Sequence, residues 1–95
     1  MKTEKQVKEE IKKYLKSLGG ACWFFMPHMN GYGRAGIPDF VGCYKGRFFA
    51  IEAKAEGKLG AVTAWQKREG ADILAASGRY IITDSLEPLI VDGLL

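Results

Sequence analysis

A two-residue segment, Lys45-Gly46, lies between two apolar, strand-like runs, and it constrains the fold more than any other feature of the sequence. A polar residue followed by glycine between two such runs is typical of a tight β-hairpin. If these two residues form the whole turn, Tyr44 pairs with Arg47, and the register of every other pair follows. That register puts Asp39 directly opposite Glu52, with their Cβ atoms roughly 5 Å apart.

Two carboxylates that face each other in this way indicate a cation between them, because like charges destabilise a hairpin. Lys54 lies two residues beyond Glu52 and shares its face, since side chains alternate along a strand. Two carboxylates and an ammonium are the groups that a metal-dependent phosphodiesterase uses, with Mg²⁺ or Mn²⁺ as the ion. The other interpretation of Lys54, an edge-strand lysine that prevents aggregation, leaves Glu52 unexplained.

Length and composition predict one small domain that spans residues 1–95. The hydrophobic fraction of 47% is enough for a folded core. The sequence shows neither a signal peptide nor an apolar run of membrane length, so we expect a cytoplasmic protein that does not enter a membrane. The net charge of +3 is compatible with a phosphate backbone as partner. The lysines concentrated between residues 2 and 16 form either a solvated helix face or a DNA-contacting patch.

Cys22 and Cys43 are the only cysteines, without CxxC spacing and with a single histidine in the chain. A structural zinc site is therefore not expected. Both cysteines lie in apolar, strand-like runs, where a reduced and buried thiol is the common state.

The periodicity of the sequence predicts six main elements and a short final helix. They are a helix over residues 3–18, a buried strand within 21–27, hairpin strands over 39–44 and 47–55, a helix over 63–77, a strand over 79–83, and a last helix capped by Ser85. A helix that joins two strands favours a parallel pair, so the last strand should lie beside the second hairpin strand. The predicted fold class is α/β, with the order α-β-β-β-α-β, a mixed sheet and flanking helices.

Two further polar residues lie at the starts of the predicted helices. Glu4 shares the sheet-facing stripe that Val7 and Ile11 define. Its carboxylate is either a first-turn charge that favours the helix dipole or an acid aimed at a site. Gln66 follows Thr63 by three residues, so it either completes a capping box or reaches toward a phosphate or a metal-bound water.

Several segments together resemble the VRR-NUC family of the PD-(D/E)XK nuclease superfamily, over nearly the whole chain from Glu4 to about Leu89. They are Gly36–Phe40, Lys45–Lys54, Gly57–Leu59 and Trp65-Gln66. The Pro-Asp and Glu-x-Lys pieces alone are a weak signature, but the added segments make it specific. The resemblance implies a restriction-endonuclease-like core.

The resemblance also implies a role for each matching residue. Asp39 and Glu52 correspond to metal ligands, and the backbone carbonyl of Ala53 corresponds to the third protein contact. Lys54 corresponds to the lysine that orients or activates the attacking water. Two more residues are catalytic by the same comparison. They are Glu4, which reaches the metal directly or through water, and Gln66.

The resemblance implies that the chain is a Mg²⁺- or Mn²⁺-dependent DNA endonuclease that acts on branched DNA such as four-way (Holliday) junctions. Stand-alone relatives of this length resemble phage-encoded proteins and form homodimers. Three alternatives stay open: a non-cleaving DNA-binding or regulatory subunit with a nuclease-like fold, a flap or duplex nuclease, and a restriction-like enzyme. The last is disfavoured because a chain of this length has little surface for base readout.

Contacts with DNA are expected from loops that flank the acids. The candidates are Lys58, Arg34, Tyr32 and His28, which could bind phosphates or stack on an unpaired base. His28 could alternatively be a general base, although a lone histidine beside a proline is more often structural. Trp23 and Trp65 are expected in the core or in a dimer interface rather than as stacking platforms.

Overall fold

The computed structural model describes residues 1–28, 34–91, 93 and 95, which form a four-stranded sheet with helices packed on it. The elements are α1 (Glu4–Ser17), β1 (Cys22–Phe25), β2 (Phe40–Tyr44), β3 (Arg47–Ala53), α2 (Ala64–Ala75), β4 (Arg79–Thr83) and α3 (Glu87–Ile90). The strand order is β1-β2-β3-β4, with antiparallel β1-β2 and β2-β3 pairs and a parallel β3-β4 pair. The predicted α/β class and mixed sheet are confirmed.

The central hairpin has the predicted register. Tyr44 pairs with Arg47, and the ladder runs to Phe40 opposite Ile51. Both turn residues, Lys45-Gly46, have positive φ angles, 50° and 81°. A turn of this kind matches the right-handed twist of the two strands, which is why two residues suffice to reverse the chain.

Helix α1 covers one face of the sheet. A capping box begins it: the Thr3 hydroxyl accepts the Gln6 N–H at 3.2 Å, and the Gln6 side chain accepts the Thr3 N–H at 2.8 Å. The stripe formed by Val7, Ile11 and Leu15 is at most 1% exposed. The core lies between this stripe and the sheet, where its main partners are Phe40, Phe49, Ile51 and Ile81. The start of α1 is therefore held against the end of the sheet.

Helix α2 packs on the opposite face, over β4. Thr63 and Gln66 form a second capping box at its start. The only buried residue of α2 is Gly70, and a Cβ there would lie 2.5 Å from a ring carbon of Tyr80. Glycine thus allows the close contact between α2 and β4, as the sequence indicated.

Two predictions are corrected by the exposure of side chains that α2 leaves uncovered: the burial of β1 and the burial of both thiols. Strand β1 is not buried, because its burial alternates and leaves Trp23 64% and Phe25 49% exposed. The Cys43 thiol is exposed, while Cys22 is half-buried. Trp65 is 57% exposed, so neither tryptophan lies in the core. The sequence pattern was wrong here because it identifies apolar residues but does not show how much of the sheet a helix covers.

The ends of the last elements also differ from the predictions. Strand β3 ends at Ala53, two residues before the predicted end. Ser85 does not cap α3, whose N-cap is Leu86. The Ser85 N–H instead donates to Thr83 Oγ1 at 3.2 Å, and that hydroxyl donates to the Ser85 carbonyl at 2.7 Å. This local pair of hydrogen bonds competes with the capping role.

None of the helices in the described part of the chain is long and apolar enough to span a bilayer.

Candidate functional site

The two predicted carboxylates meet where β2 begins and β3 ends. Asp39 lies one residue outside the ladder, and its Oδ2 accepts the Ala53 N–H at 2.8 Å. This hydrogen bond extends the hairpin and holds Asp39 beside Glu52. Gly36, with φ of 81°, brings the segment just before Asp39 against α2, since a Cβ there would lie 2.4 Å from the carbonyl carbon and oxygen of Trp65. The Gly36–Asp39 segment is thus fixed at both ends.

Glu52 is buried, and its two carboxylate oxygens differ in their hydrogen bonding. The residue is 4% exposed, and its Oε2 has no hydrogen-bond partner among the described residues. Burial, followed by the negative charge of Asp39, raises the pKa of Glu52 to about 8, although the positive charge of Lys54 opposes both effects. A buried, unpartnered carboxylate oxygen is costly unless something binds it. A cation would supply that partner.

Gln66 links the buried side of the site into one network. Its Oε1 accepts the Lys54 ammonium at 2.8 Å and the Thr63 N–H at 3.0 Å, and its Nε2 donates to Glu52 Oε1 at 2.9 Å. The predicted capping box is therefore confirmed, and the same side chain also contacts two of the predicted site residues. The carbonyl of Gln66 also accepts the Tyr80 hydroxyl at 3.4 Å. Burial raises the pKa of Tyr80 to about 12.

Lys8, from the first half of α1, is a member of the site that the sequence analysis missed. Its ammonium lies 3.2 Å from Asp39 Oδ1 and 3.2 Å from Glu4 Oε2. Burial disfavours the ammonium, but the charge of Asp39 and the hydrogen bonds outweigh it and raise the pKa of Lys8. The signal was present as an i, i+4 Glu-Lys pair, but this pair is also the ordinary pattern of a solvated helix face.

Glu4 points toward the site but stays at its rim. Its side chain is 49% exposed, and it contacts Asp39 only through Lys8. Its charge contributes to the raised pKa of Glu52, after burial and Asp39. Glu4 also lies in the first turn of α1, where its negative charge favours the helix dipole.

Among the predicted DNA-contact residues that the structure describes, none has a hydrogen bond or an ion pair with this cluster. The Arg34 guanidinium, 76% exposed, binds Glu69 at 3.0 Å and 3.2 Å. His28 and Lys58 are exposed. Tyr32 lies outside the described residues. Of the predicted site residues, Asp39, Glu52, Lys54, Gln66 and Glu4 come together in the structure.

The donor set was tested against a divalent ion. In residues 1–28 and 34–91, no three side chains of His, Cys, Asp or Glu converge as a metal-binding group. Two carboxylates do face each other, however, and one of them carries the unpartnered Glu52 oxygen. Hard oxygen donors of this kind suit Mg²⁺ or Mn²⁺, which retain several waters and need few protein ligands. The Ala53 carbonyl, in β3, is the candidate for the third donor.

Comparison with protein-family models, curated proteins and solved structures gave no match for this chain.

Proposed function

We propose that this chain is a Mg²⁺- or Mn²⁺-dependent endonuclease that hydrolyses phosphodiester bonds in DNA. The observation that carries the proposal is the buried Oε2 of Glu52, which lacks a partner while the Asp39 carboxylate lies beside it. A bound divalent cation satisfies this oxygen and stabilises the ionised form of Glu52 beside Asp39. The resemblance to the VRR-NUC family supports the same activity.

Each side chain has a role that follows from its position. Asp39 and Glu52 hold the cation, with the Ala53 carbonyl as third contact and Glu4 within reach through a water. When bound, the cation supplies charge relief at the phosphate and lowers the pKa of a bound water. The Lys54 ammonium, 6% exposed, stands beside the carboxylates and stabilises negative charge at the scissile phosphate or holds the attacking water.

Gln66 keeps Lys54 in place. The two hydrogen bonds, to the Lys54 ammonium at 2.8 Å and to Glu52 at 2.9 Å, fix the distance between the cation-binding carboxylate and the ammonium. Because Gln66 is anchored to the first turn of α2, this spacing is set before any substrate arrives. Such preorganisation is the main source of electrostatic catalysis.

Branched DNA, including four-way junctions, is the proposed substrate, and a homodimer is the proposed active form. His28 and Lys58 are exposed, so both side chains are free to contact phosphates of DNA. The uncovered half of the sheet exposes aromatic side chains, Trp23 and Phe25 on the edge strand β1 and Phe48 on β3, which supports pairing with a second copy. A dimer would present two sites to two strands.

The test is cleavage of labelled four-way junctions, flaps and linear duplexes with Mg²⁺, with Mn²⁺ and with EDTA. The wild-type chain should cut a branched substrate only when the divalent ion is present. Glu52→Gln should abolish cutting, since it removes a charged donor but keeps the shape and the Gln66 contact. Glu87→Gln, an exposed change in α3, is the matched control and should cut normally.

Cutting that survives Glu52→Gln would disprove the assigned site. Stable DNA binding without cutting and without metal uptake would favour the non-cleaving DNA-binding subunit. Preferred cutting of flaps or linear duplexes would keep the chemistry and change the substrate. Light scattering on the same samples measures the oligomeric state.

A further inference from the structure

Both oxygens of Asp39 already have partners in the structure, and the two partners differ in kind. The Oδ2 atom accepts the Ala53 N–H at 2.8 Å, and the Oδ1 atom contacts the Lys8 ammonium at 3.2 Å. The Ala53 N–H is part of the backbone of β3 and cannot leave without breaking the hairpin end. Lys8 is a flexible side chain that is 31% exposed.

We propose that Lys8 is a resident cation of this acidic site, which a divalent ion must displace, so that Lys8 sets the threshold of metal binding. The inference rests on the proposed function, because it concerns the same carboxylates. It goes further by assigning a role to a helix residue outside the Asp, Glu and Lys set of the hairpin. Lys8 is a positioning residue in this view and does not touch the reacting atoms.

Electrostatic repulsion favours the displacement of Lys8 by a divalent ion. An ammonium that remained 3.2 Å from Asp39 Oδ1 would repel a divalent ion bound to the same carboxylate. The unpartnered Oε2 of Glu52 shows that the single ammonium of Lys8 does not satisfy the whole acidic pair. A cation with more charge and more coordination positions therefore has a reason to replace it.

Lys8 has a second carboxylate partner that remains available when it leaves Asp39. Its second partner, Glu4, lies at 3.2 Å on the solvent side, one turn earlier in α1, and is 49% exposed. Lys8 can therefore leave Asp39 and keep an ion pair with Glu4. An i, i+4 pair of this kind is stable on its own on a helix surface, so the exchange needs no movement of the backbone.

The experiment is calorimetric titration of the metal-free protein with Mn²⁺ at pH 7.5 and low salt. The proteins are wild type, Lys8→Met, Lys8→Arg, and Lys13→Met as an exposed lysine on the same helix. Lys8→Met should bind Mn²⁺ about threefold to tenfold more tightly than wild type, as expected for loss of a half-exposed ion pair together with its repulsion of the ion. Lys8→Arg should bind no more tightly than wild type, and Lys13→Met should match wild type within about twofold.

A second measurement protects the test against a variant that folds poorly. In melting experiments without metal, Lys8→Met should melt at a lower temperature than wild type, and Mn²⁺ should raise its melting temperature by more. Equal or weaker Mn²⁺ binding by folded Lys8→Met would overturn the inference while leaving the nuclease proposal intact. No Mn²⁺ uptake by any of the four proteins would overturn both.

Discussion

The two long helices begin with the same capping box, Thr-x-x-Gln, yet the two boxes do different work. Gln6 at the start of α1 is exposed and bonds only its own N-cap, Thr3. Gln66 at the start of α2 bonds its N-cap and also the Lys54 ammonium and Glu52. The same local motif is therefore purely structural in one place and part of a site in the other. The two capping boxes differ because α2 begins beside the end of β3, where the buried charges lie.

The two helix starts also differ in how they contact the acidic residues of the site. On the α2 side the ties are hydrogen bonds between groups that are nearly buried. On the α1 side they are ion pairs through Lys8, whose side chain is 31% exposed. Buried bonds fix geometry, whereas half-exposed ion pairs are weak and exchange easily. The α2 side of the site therefore keeps its side chains in fixed positions, whereas Lys8 on the α1 side can exchange one carboxylate partner for another.

The largest expected effect comes from Lys54→Met, which removes the ammonium that Gln66 holds but keeps the length of the side chain. Cleavage should fall by about 10²- to 10³-fold, the usual cost of losing one preorganised charge in a site. Stability should fall by about 2 kcal/mol because Gln66 Oε1 loses a charged hydrogen-bond donor and Glu52 loses a nearby positive charge. Rates on a junction substrate and urea unfolding measure the two effects. Lys45→Asn, at the other end of the hairpin, should change neither, and a similar loss there would refute a special role for Lys54.

The raised pKa of Glu52 predicts a pH dependence of stability without metal. The folded protein keeps the Glu52 proton up to about pH 8, whereas the unfolded chain releases it near 4.5. Between these values the folded state binds more protons, so the free energy of unfolding falls as pH rises, on the order of 2 kcal/mol between pH 5 and 8. Urea unfolding in EDTA at several pH values measures this.

Glu52→Gln should flatten that pH dependence, and Glu4→Gln, on the α1 side, should keep most of it. Mn²⁺ should also reduce it, because a cation favours the ionised carboxylate. An unchanged slope in Glu52→Gln would show that another group causes the pH effect.

Gln66→Ala and Gln6→Ala test the comparison directly, since each removes the glutamine of one capping box. Gln66→Ala should lower cleavage about 10- to 100-fold, as is usual when a residue that orients a site is lost. Gln6→Ala should leave the rate unchanged. The loss of stability should be about 2 kcal/mol for Gln66→Ala and less than about 1 kcal/mol for Gln6→Ala, because only Gln66 has buried partners. Equal effects on the rate would remove the distinction between the two helix starts.

The smallest effects are expected from Thr3→Ala and Thr63→Ala. Each removes one N-cap hydroxyl and should cost about 1 kcal/mol in the free energy of unfolding. Cleavage by Thr63→Ala should stay within about twofold of wild type, because Gln66 Oε1 is held by the backbone N–H of residue 63, which alanine retains. A larger loss of rate would mean that the cap itself positions Gln66.

The sequence predicted the fold and the hairpin part of the site well, because both depend on local rules. A two-residue turn fixes the register of Asp39 and Glu52, and strand alternation adds Lys54. The exposure of Trp23 and Cys43 could not be predicted, since it depends on how much of the sheet α2 covers. Lys8 was missed for a related reason: a Glu-Lys pair on a helix has the same pattern whether or not a third charge lies across from it. The double role of Gln66 likewise needed the position of α2 relative to β3.

Gly36 brings the segment that carries Asp39 into close contact with the helix turn that carries Gln66. Its backbone lies against the first turn of α2, where a Cβ would be 2.8 Å from the Gln66 nitrogen, and three residues later the same segment ends at Asp39. Any side chain at position 36 would therefore force the segment that carries Asp39 away from the helix turn that carries Gln66. The spacing between the cation-binding carboxylate and the glutamine that holds Lys54 thus depends on the absence of a single methyl group.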